Sequence, residues 1–289
     1  MENRPKKVIF VAGSSYSGST ILNLILGNDI KGNALGEIRA LFCPKKAHHH
    51  DKINALKKDK KWQRIFDGGY KNLYKNLFIE YPEIDFWVDS SKDPIWISEQ
   101  IECLKKRDIP SSVVLIYKSP MQFAQSALKR DQQEWQRKWL NYHLSFFELI
   151  KDYQQISYQN FVDNTDEVLK ELFKNLNLNY TSNSKDFWIK KDNFNFFGNN
   201  HTNYQAKESN DEIGDRIIDD NYKKDYRKIK SSITLDADTK QNIQEQIKGD
   251  KNFEMLEMKL NNRSYKVRLG LKDKANVLKN KIKFKLLKK

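Results

Sequence analysis

Cysteine, proline and glycine are all sparse: 2, 6 and 11 in 289 residues. Cys43 and Cys103 alone cannot build a disulfide framework, so a reducing compartment, the cytoplasm, is expected. No apolar run approaches the ~18–20 residues that a membrane helix needs. The run Val8–Ala12 is too short for the core of a secretory signal, and it ends in a Gly/Ser loop with no cleavage site. Arginine is scarce too: 10 of the 52 basic residues, beside 42 Lys and 27 Asn. The net charge of +14 therefore lacks the guanidinium forks that read bases, and no nucleic-acid partner is expected. There is no Gly-X-Ser-X-Gly elbow and no His-Glu-X-X-His. Cys43 and His48-His49-His50 have no second Cys/His pair nearby, so they read as a polar loop, and no metal site is expected.

What is present is a globular composition: 38% hydrophobic and 12% aromatic residues. Lys7–Ala12 is a short β-branched run bounded by Gly13, which predicts a buried strand. Gly18–Leu26 predicts a helix stopped by Gly27 and Asn28. Further strands are predicted at Asp85–Asp89, Ser112–Tyr117 and Gln155–Tyr158, each followed by a helical pattern: Ile95–Arg107, Met121–Lys129 and Asp166–Leu176. An aromatic-rich helix is predicted over 134–152. Strands alternating with helices predict an α/β fold: a central parallel sheet with helices on both faces, in three layers. Ligands on such sheets bind at the carboxyl ends of the strands. Residues 181–211 are Asn-rich, aromatic and irregular, as suits a long functional loop. The expected division is a domain over 1–262 and a basic C-terminal tail over 263–289. Residues 266–289 carry +9 of the net charge. That tail reads as a solvated extension or as a peripheral contact with an anionic membrane.

The most informative segment is Gly13-Ser-Ser-Tyr-Ser-Gly-Ser-Thr20, between the first strand and the first helix. Its spacing is that of a P-loop: Gly, four residues, Gly, one residue, Ser/Thr. Ser19 stands where the lysine that clamps a nucleoside triphosphate would be. The backbone cradle at the helix N-terminus remains and suits one anionic group. A P-loop kinase or ATPase is therefore disfavoured.

Three more segments follow in order. Trp87-Val-Asp-Ser-Ser-Lys-Asp-Pro94 and Val113-Val-Leu-Ile-Tyr-Lys-Ser-Pro120 each put a Lys at a strand end, and Ser126 lies eight residues beyond Lys118. Leu35-Gly-Glu-Ile-Arg39 places a carboxylate just past the first helix. Together with the loop, they resemble the sulfotransferases that use 3′-phosphoadenosine 5′-phosphosulfate (PAPS), the bacterial and tyrosylprotein branches above all. The resemblance spans about residues 8–230. It implies the P-loop kinase-like fold, PAPS as cosubstrate and no metal.

Residue by residue, it implies that Ser15, Tyr16, Ser17, Gly18, Ser19 and Thr20 hold the 5′-phosphosulfate. Lys118 and Ser126 would hold the 3′-phosphate, and Tyr158, from Ser157-Tyr-Gln-Asn-Phe161, would lie near the adenine. Glu37 would be the general base, with His201 next in line, and Lys92 the catalytic cation. Arg39 would pair with Glu37 or hold an anionic acceptor. Two departures stand out: Lys118 replaces the usual Arg, and Tyr16 occupies a position often basic. The implied function is sulfonate transfer to an acceptor hydroxyl on a glycan, lipid or small metabolite, with Phe194, Phe196, Phe197 and Tyr204 as aromatic lid residues. Two other classes stay open: a basic membrane- or polyanion-binding module without catalysis on this fold, and a nucleotide kinase, which Ser19 argues against.

Overall fold

A computed structural model describes residues 6–190, 192–198, 211–213, 216–218 and 236–286. Five strands form one parallel sheet: β1 (Lys7–Ala12), β2 (Gly32–Gly36), β3 (Phe86–Asp89), β4 (Ser111–Tyr117) and β5 (Gln154–Ser157), in the order β2-β3-β1-β4-β5. β1 is central, with Phe10 paired to Asp89 on one side and to Val113 on the other. Its side chains alternate between two cores, and every residue of Val8–Ala12 is fully buried. Ile9 and Val11 face α1 (Ser19–Gly27), α9 (Tyr158–Asp163) and α10 (Thr165–Asn175). Val8, Phe10 and Ala12 face the larger core on the opposite side. Three layers with both sheet faces covered explain why β1 and β4 read as continuous apolar runs.

The larger core is built by α4 (Lys60–Asp67), α5 (Leu73–Glu80), α6 (Pro94–Lys105), α7 (Pro120–Leu128) and α8 (Trp135–Leu149). It is rich in indoles: Trp62, Trp87, Trp96, Trp135 and Trp139 are all nearly fully buried. Before α4 lie a single turn, α2 (Arg39–Phe42), and α3 (Ala47–Leu56). After α10 come a short antiparallel pair, β6 (Asp211–Ile213) and β7 (Arg216–Ile218), then α11 (Ala237–Ile247), α12 (Lys251–Asn261) and α13 (Leu271–Leu286). None of the described helices is long and apolar enough to cross a membrane.

β2 is absent from the sequence expectation. Gly32-Asn-Ala-Leu-Gly36 has two glycines and no β-branched residue, so it carries no strand signal. Its neighbours make it a strand: it pairs with β3 on one side, and residues 193–196 run along the other. Asn195 and Phe196 amides donate to the Ala34 and Leu35 carbonyls (2.7 and 2.8 Å), and the Glu37 amide donates to the Phe196 carbonyl (2.6 Å). Gly36 has φ +68°, and a Cβ there would lie 2.5 Å from the Phe196 carbonyl oxygen, so glycine is required where the two chains meet. Part of the irregular 181–211 stretch thereby shields the edge of the sheet.

The basic C-terminal stretch also takes a defined form. α13 is a sixteen-residue helix whose Val277 and Phe284 are buried, Phe284 as a member of the larger core.

Candidate active site

Every site residue expected from the sequence and described in the structure lies at the carboxyl end of the sheet. The local reason recurs twice. In Lys92-Asp93-Pro94 and Lys118-Ser119-Pro120 a proline cannot continue a strand but suits the first turn of a helix. The residue before each proline is the N-cap. Asp93 accepts from the Ile95 and Trp96 amides (2.9 and 3.2 Å), and Ser119 forms a capping box with Gln122. Each lysine is thus held at a turn between strand and helix, facing the crevice.

The loop Gly13–Thr20 joins β1 to α1. Tyr16 has φ +65°, and Gly18, the N-cap of α1, has φ +93°; no side chain caps the helix. A Cβ on Gly18 would lie 2.6 Å from the Tyr158 ring, so that ring rests directly on the loop. Ser14, Ser17, Ser19 and Thr20 are buried, Tyr16 is half-buried and Ser15 is exposed. Ser14 Oγ and Ser17 Oγ are buried with no hydrogen-bond partner among the described residues. Uncompensated buried hydroxyls are costly and call for an external partner. The hydroxyls, the helix N-terminus and the glycine backbone fit an anionic group. Gly198 closes over the loop, and a Cβ there would lie 3.3 Å from Thr20.

On the β4 side, Lys118 is 6% exposed. Its Nζ donates to Ser126 Oγ (3.0 Å) and lies 4.4 Å from the centroid of the Tyr158 ring. Lys118, Ser126 and Tyr158 therefore converge although they come from three elements. Burial, and next the charge of Arg130, pulls the Lys118 ammonium down to about 8. The site has a second cation that the sequence reading missed. Arg130 stacks its guanidinium over Tyr16, 4.3 Å from the ring centroid, and donates to the Ser126 carbonyl (2.6 Å). Gln132 donates to Tyr16 Oη (2.5 Å), which fixes the ring. This guanidinium reaches the ring at position 16 from a turn over a hundred residues further along the chain.

On the β2–β3 side, Lys92 Nζ pairs with Glu37 Oε1 at 2.5 Å. Both are partly buried, at 20% and 31% side-chain exposure, so the pair is open to substrate. Lys92 has φ +66°, a left-handed turn stabilised by the residues around it. Tyr142 supplies part of that support: its hydroxyl accepts from the Gly13 amide (2.6 Å) and donates to the Lys92 carbonyl (3.1 Å). Burial around its hydroxyl pushes the partly buried Tyr142 far above the usual tyrosine range, so it stays protonated. It ties the start of the anion loop to the lysine turn.

Asp89 supplies the rest. Its buried carboxylate accepts from Tyr74 Oη (2.6 Å), Trp96 Nε1 (2.8 Å), the Ser91 amide (2.6 Å) and Ser91 Oγ (2.5 Å). Burial raises its pKa, and the hydrogen bonds oppose that rise. Ser91 Oγ in turn accepts from the Arg39 amide (3.0 Å). Of the pairings open to Arg39, the one formed is with Asp93 (3.1 Å), not with Glu37. Its guanidinium also lies 5.7 Å from the Phe284 ring centroid.

Phe194 and Phe196 stack on each other and pack against Trp62, an interior position for Phe196 and a half-buried one for Phe194. Phe197 contacts His48 and His49, at 5.7 and 4.6 Å between centroids. The histidines thus sit on α3 beside the site. Burial, His48 and Lys46 lower the His49 pKa, while Glu37 pulls it the other way. His201 and Tyr204 lie outside the described residues. Among the described residues, no group of three or more His, Cys, Asp or Glu side chains is placed to hold a metal.

No protein-family model matches the chain, and no curated protein matches it. Solved structures do. The sulfotransferase domain of the olefin synthase from Synechococcus PCC 7002 aligns over 85% of this chain and 96% of its own, with a TM-score of 0.50 and 13% identity. The chain has the fold of a sulfotransferase domain. The sulfotransferase domain of the curacin biosynthetic pathway aligns over 85% and 98%, at TM-score 0.44 and 15% identity. Sulfotransferase STF1 from Mycobacterium tuberculosis H37Rv aligns over 63% and 70%, at TM-score 0.41 and 11% identity. At these identities the likeness is one of fold. Within that sulfotransferase-like fold, Ser14, Asp89, Arg130 and Tyr142 are the residues that sequence reasoning missed. Ser14 lies in the loop already singled out, and Asp89 shows as a carboxylate ending an apolar strand; Arg130 falls in the turn after α7 and Tyr142 in a helical stretch, where nothing local marks either.

Proposed function

We propose that the chain is a PAPS-dependent sulfotransferase acting on an acceptor hydroxyl. The observation that supports this most is the convergence on one sheet edge of an anion cradle, a buried lysine–serine pair and an open lysine–glutamate pair. Bound PAPS would supply a sulfonate on a phosphate leaving group. The loop amides, with Ser14, Ser17, Ser19 and Thr20, hold the 5′-phosphate end. Lys118 and Ser126 grip the 3′-phosphate, Arg130 adds charge beside them, and the Tyr158 ring offers a face to the adenine. Two anchored phosphates fix the register of the nucleotide and lower the entropy cost of alignment.

Glu37 takes the proton of the acceptor hydroxyl as its oxygen forms the new S–O bond. Lys92 offsets the charge that grows on the bridging oxygen as the old S–O bond breaks. To do so, Lys92 turns from Glu37 toward the leaving oxygen, which frees the carboxylate to act as base. Arg39, anchored to Asp93, stands on the acceptor side and suits an acceptor carrying negative charge. Glycans, lipid headgroups and small metabolites are the acceptor classes to assay.

Titration calorimetry with adenosine 3′,5′-bisphosphate, AMP and ATP tests the donor site. The bisphosphate should bind tightest. Equal affinity for AMP would remove the 3′-phosphate assignment, and preference for ATP would return the kinase reading. Transfer of labelled sulfate from PAPS to glycan and lipid extracts then tests the reaction.

A further inference from the structure

We propose that α13 is a docking surface for a bilayer rich in acidic lipid. The helix is fixed to the domain by its inner face. Val277 and Phe284 are buried, and the Phe284 ring packs edge-on against Tyr70 (6.2 Å) and Trp96 (6.5 Å). Lys281 and Lys285 approach Glu99 at 3.9 and 3.3 Å, and Lys281 reaches Glu102 at 3.7 Å. Orientation is therefore set by packing, and the outer face is a defined surface.

That outer face is apolar along its centre. Leu271, Leu278, Ile282 and Leu286 are 88%, 59%, 51% and 65% exposed. At 3.6 residues per turn their spacing places them within about 80° of arc, a stripe running the length of the helix. Lysines border it on both sides. Lys272, Lys279 and Lys283 lie along one flank, and Lys274, Lys281 and Lys285 along the other. Lys272, Lys274, Lys279 and Lys283 are exposed and form no ion pair among the described residues. Asp273 is the one acid in the helix.

An apolar stripe between two cationic borders selects its occupant by charge. A second copy docking by this face would bring lysine rows together. A nucleic acid offers phosphates but no apolar layer for the leucines. An acidic membrane surface offers both: headgroup charge for the lysines and acyl chains below for the stripe. The stripe lies on the face of the helix opposite Phe284, the side chain that approaches Arg39, and its lipid contact does not depend on the transfer chemistry.

Flotation of the full chain with vesicles tests it. Binding is expected to phosphatidylcholine vesicles containing phosphatidylserine, weak binding to phosphatidylcholine alone, and steep loss with added salt. Lys279→Gln with Lys283→Gln should lower partitioning by about 25-fold, since each surface lysine is worth roughly a factor of five. Leu278→Gln with Ile282→Gln should abolish flotation while leaving the thermal melt in place, because both side chains are exposed. Leu271→Gln with Leu286→Gln serves as a second apolar pair should the first disturb folding. Flotation that survives both apolar pairs would overturn the proposal, as would equal binding to the two vesicle types. A dimer in solution that Leu278→Gln dissociates would assign the face to a second copy instead.

Discussion

Lys92 Nζ lies 2.5 Å from Glu37 Oε1, across 55 residues of chain. The contact follows from strand register. β2 and β3 are neighbours, and Gly36 pairs with Asp89 at their ends. Glu37 and Lys92 are therefore the first charged side chains beyond two adjacent strand ends. Asp89 and Tyr142 hold the lysine turn from beneath, so the pair forms before substrate arrives.

Replacing the base tests the pair. Glu37→Gln should leave affinity for adenosine 3′,5′-bisphosphate nearly unchanged and lower turnover by roughly 10²–10⁴-fold, the usual share of a general base. Steady-state sulfate transfer alongside calorimetry reads both quantities. Near-normal turnover would move the base elsewhere, with His201 the next residue to replace.

The buried cation should carry the 3′-phosphate preference. Lys118→Ala is expected to weaken bisphosphate binding by about 1.5–3 kcal/mol, the range for a hydrogen bond to a charged group. AMP binding should hardly change. A matching loss for both nucleotides would make Lys118 structural.

The same lysine predicts a pH dependence. Its ammonium is held down to about 8 by burial. Bisphosphate affinity should be level below pH 8 and fall above it, by at most about tenfold per pH unit, as the free protein loses the charge. Stability moves the other way. Between pH 8 and the ordinary lysine range near 10.5, the unfolded chain binds the proton and the folded one does not, so burying Lys118 costs progressively less as pH rises. Calorimetry from pH 7 to 9.5 on wild type and Lys118→Ala separates this group from the rest, because the variant should lack the slope.

Arg130 should behave as the cation that position 16 lacks. Arg130→Ala should weaken the bisphosphate several-fold, and more than AMP. Tyr16→Leu removes the ring under the guanidinium and should produce part of the same loss; an exposed cation–π contact is worth ~0.5–1 kcal/mol. A double variant no weaker than Arg130→Ala alone would show that the two act as one unit. If Arg130→Ala left both affinities intact, the stack would be structural only.

His143 makes a prediction for acid stability. It is fully buried in α8, its Nδ1 2.8 Å from the Trp139 carbonyl, and burial lowers its pKa to about 4. The unfolded histidine, near 6.5, gains a proton as pH falls through that value while the folded one stays neutral. Stability should therefore be lost between pH 6.5 and 4, by up to ~3 kcal/mol from this group. His143→Asn should be less stable at pH 7 and lose less on moving to pH 4.5. Urea midpoints at the two pH values measure it, and equal losses in both proteins would discard the assignment.

Much of the sheet was legible. β1, β3 and β4 are largely apolar runs, β-branched or aromatic, bounded by turn residues; β5, Gln-Gln-Ile-Ser, is mostly polar and is expected from its place in the strand–helix alternation, and all four lie within a residue or two of their expected places. β2 was not, because its residues have no intrinsic preference for a strand. Its conformation is imposed by β3 and by residues 193–196. The tail was only partly legible: its lysines hid two buried positions, Val277 and Phe284, whose spacing matters only once a surface exists to receive them.

The candidate site divides in the same way. Local chemistry decided which residues reach the carboxyl edge. A glycine-bounded loop after a strand makes an anion cradle, and Lys-Asp-Pro or Lys-Ser-Pro ends a strand, caps a helix and leaves the lysine at the turn. These are short-range effects, written in consecutive residues. The tertiary structure alone decided which of them meet. Glu37 faces Lys92 because β2 and β3 are neighbours. Arg130 covers Tyr16 because the turn after α7 folds back onto the loop. Tyr142 joins Gly13 to Lys92 because α8 crosses beneath both. Such contacts depend on strand order and helix packing, which are set by burial of the two cores as a whole and leave no periodic trace at the residues that touch.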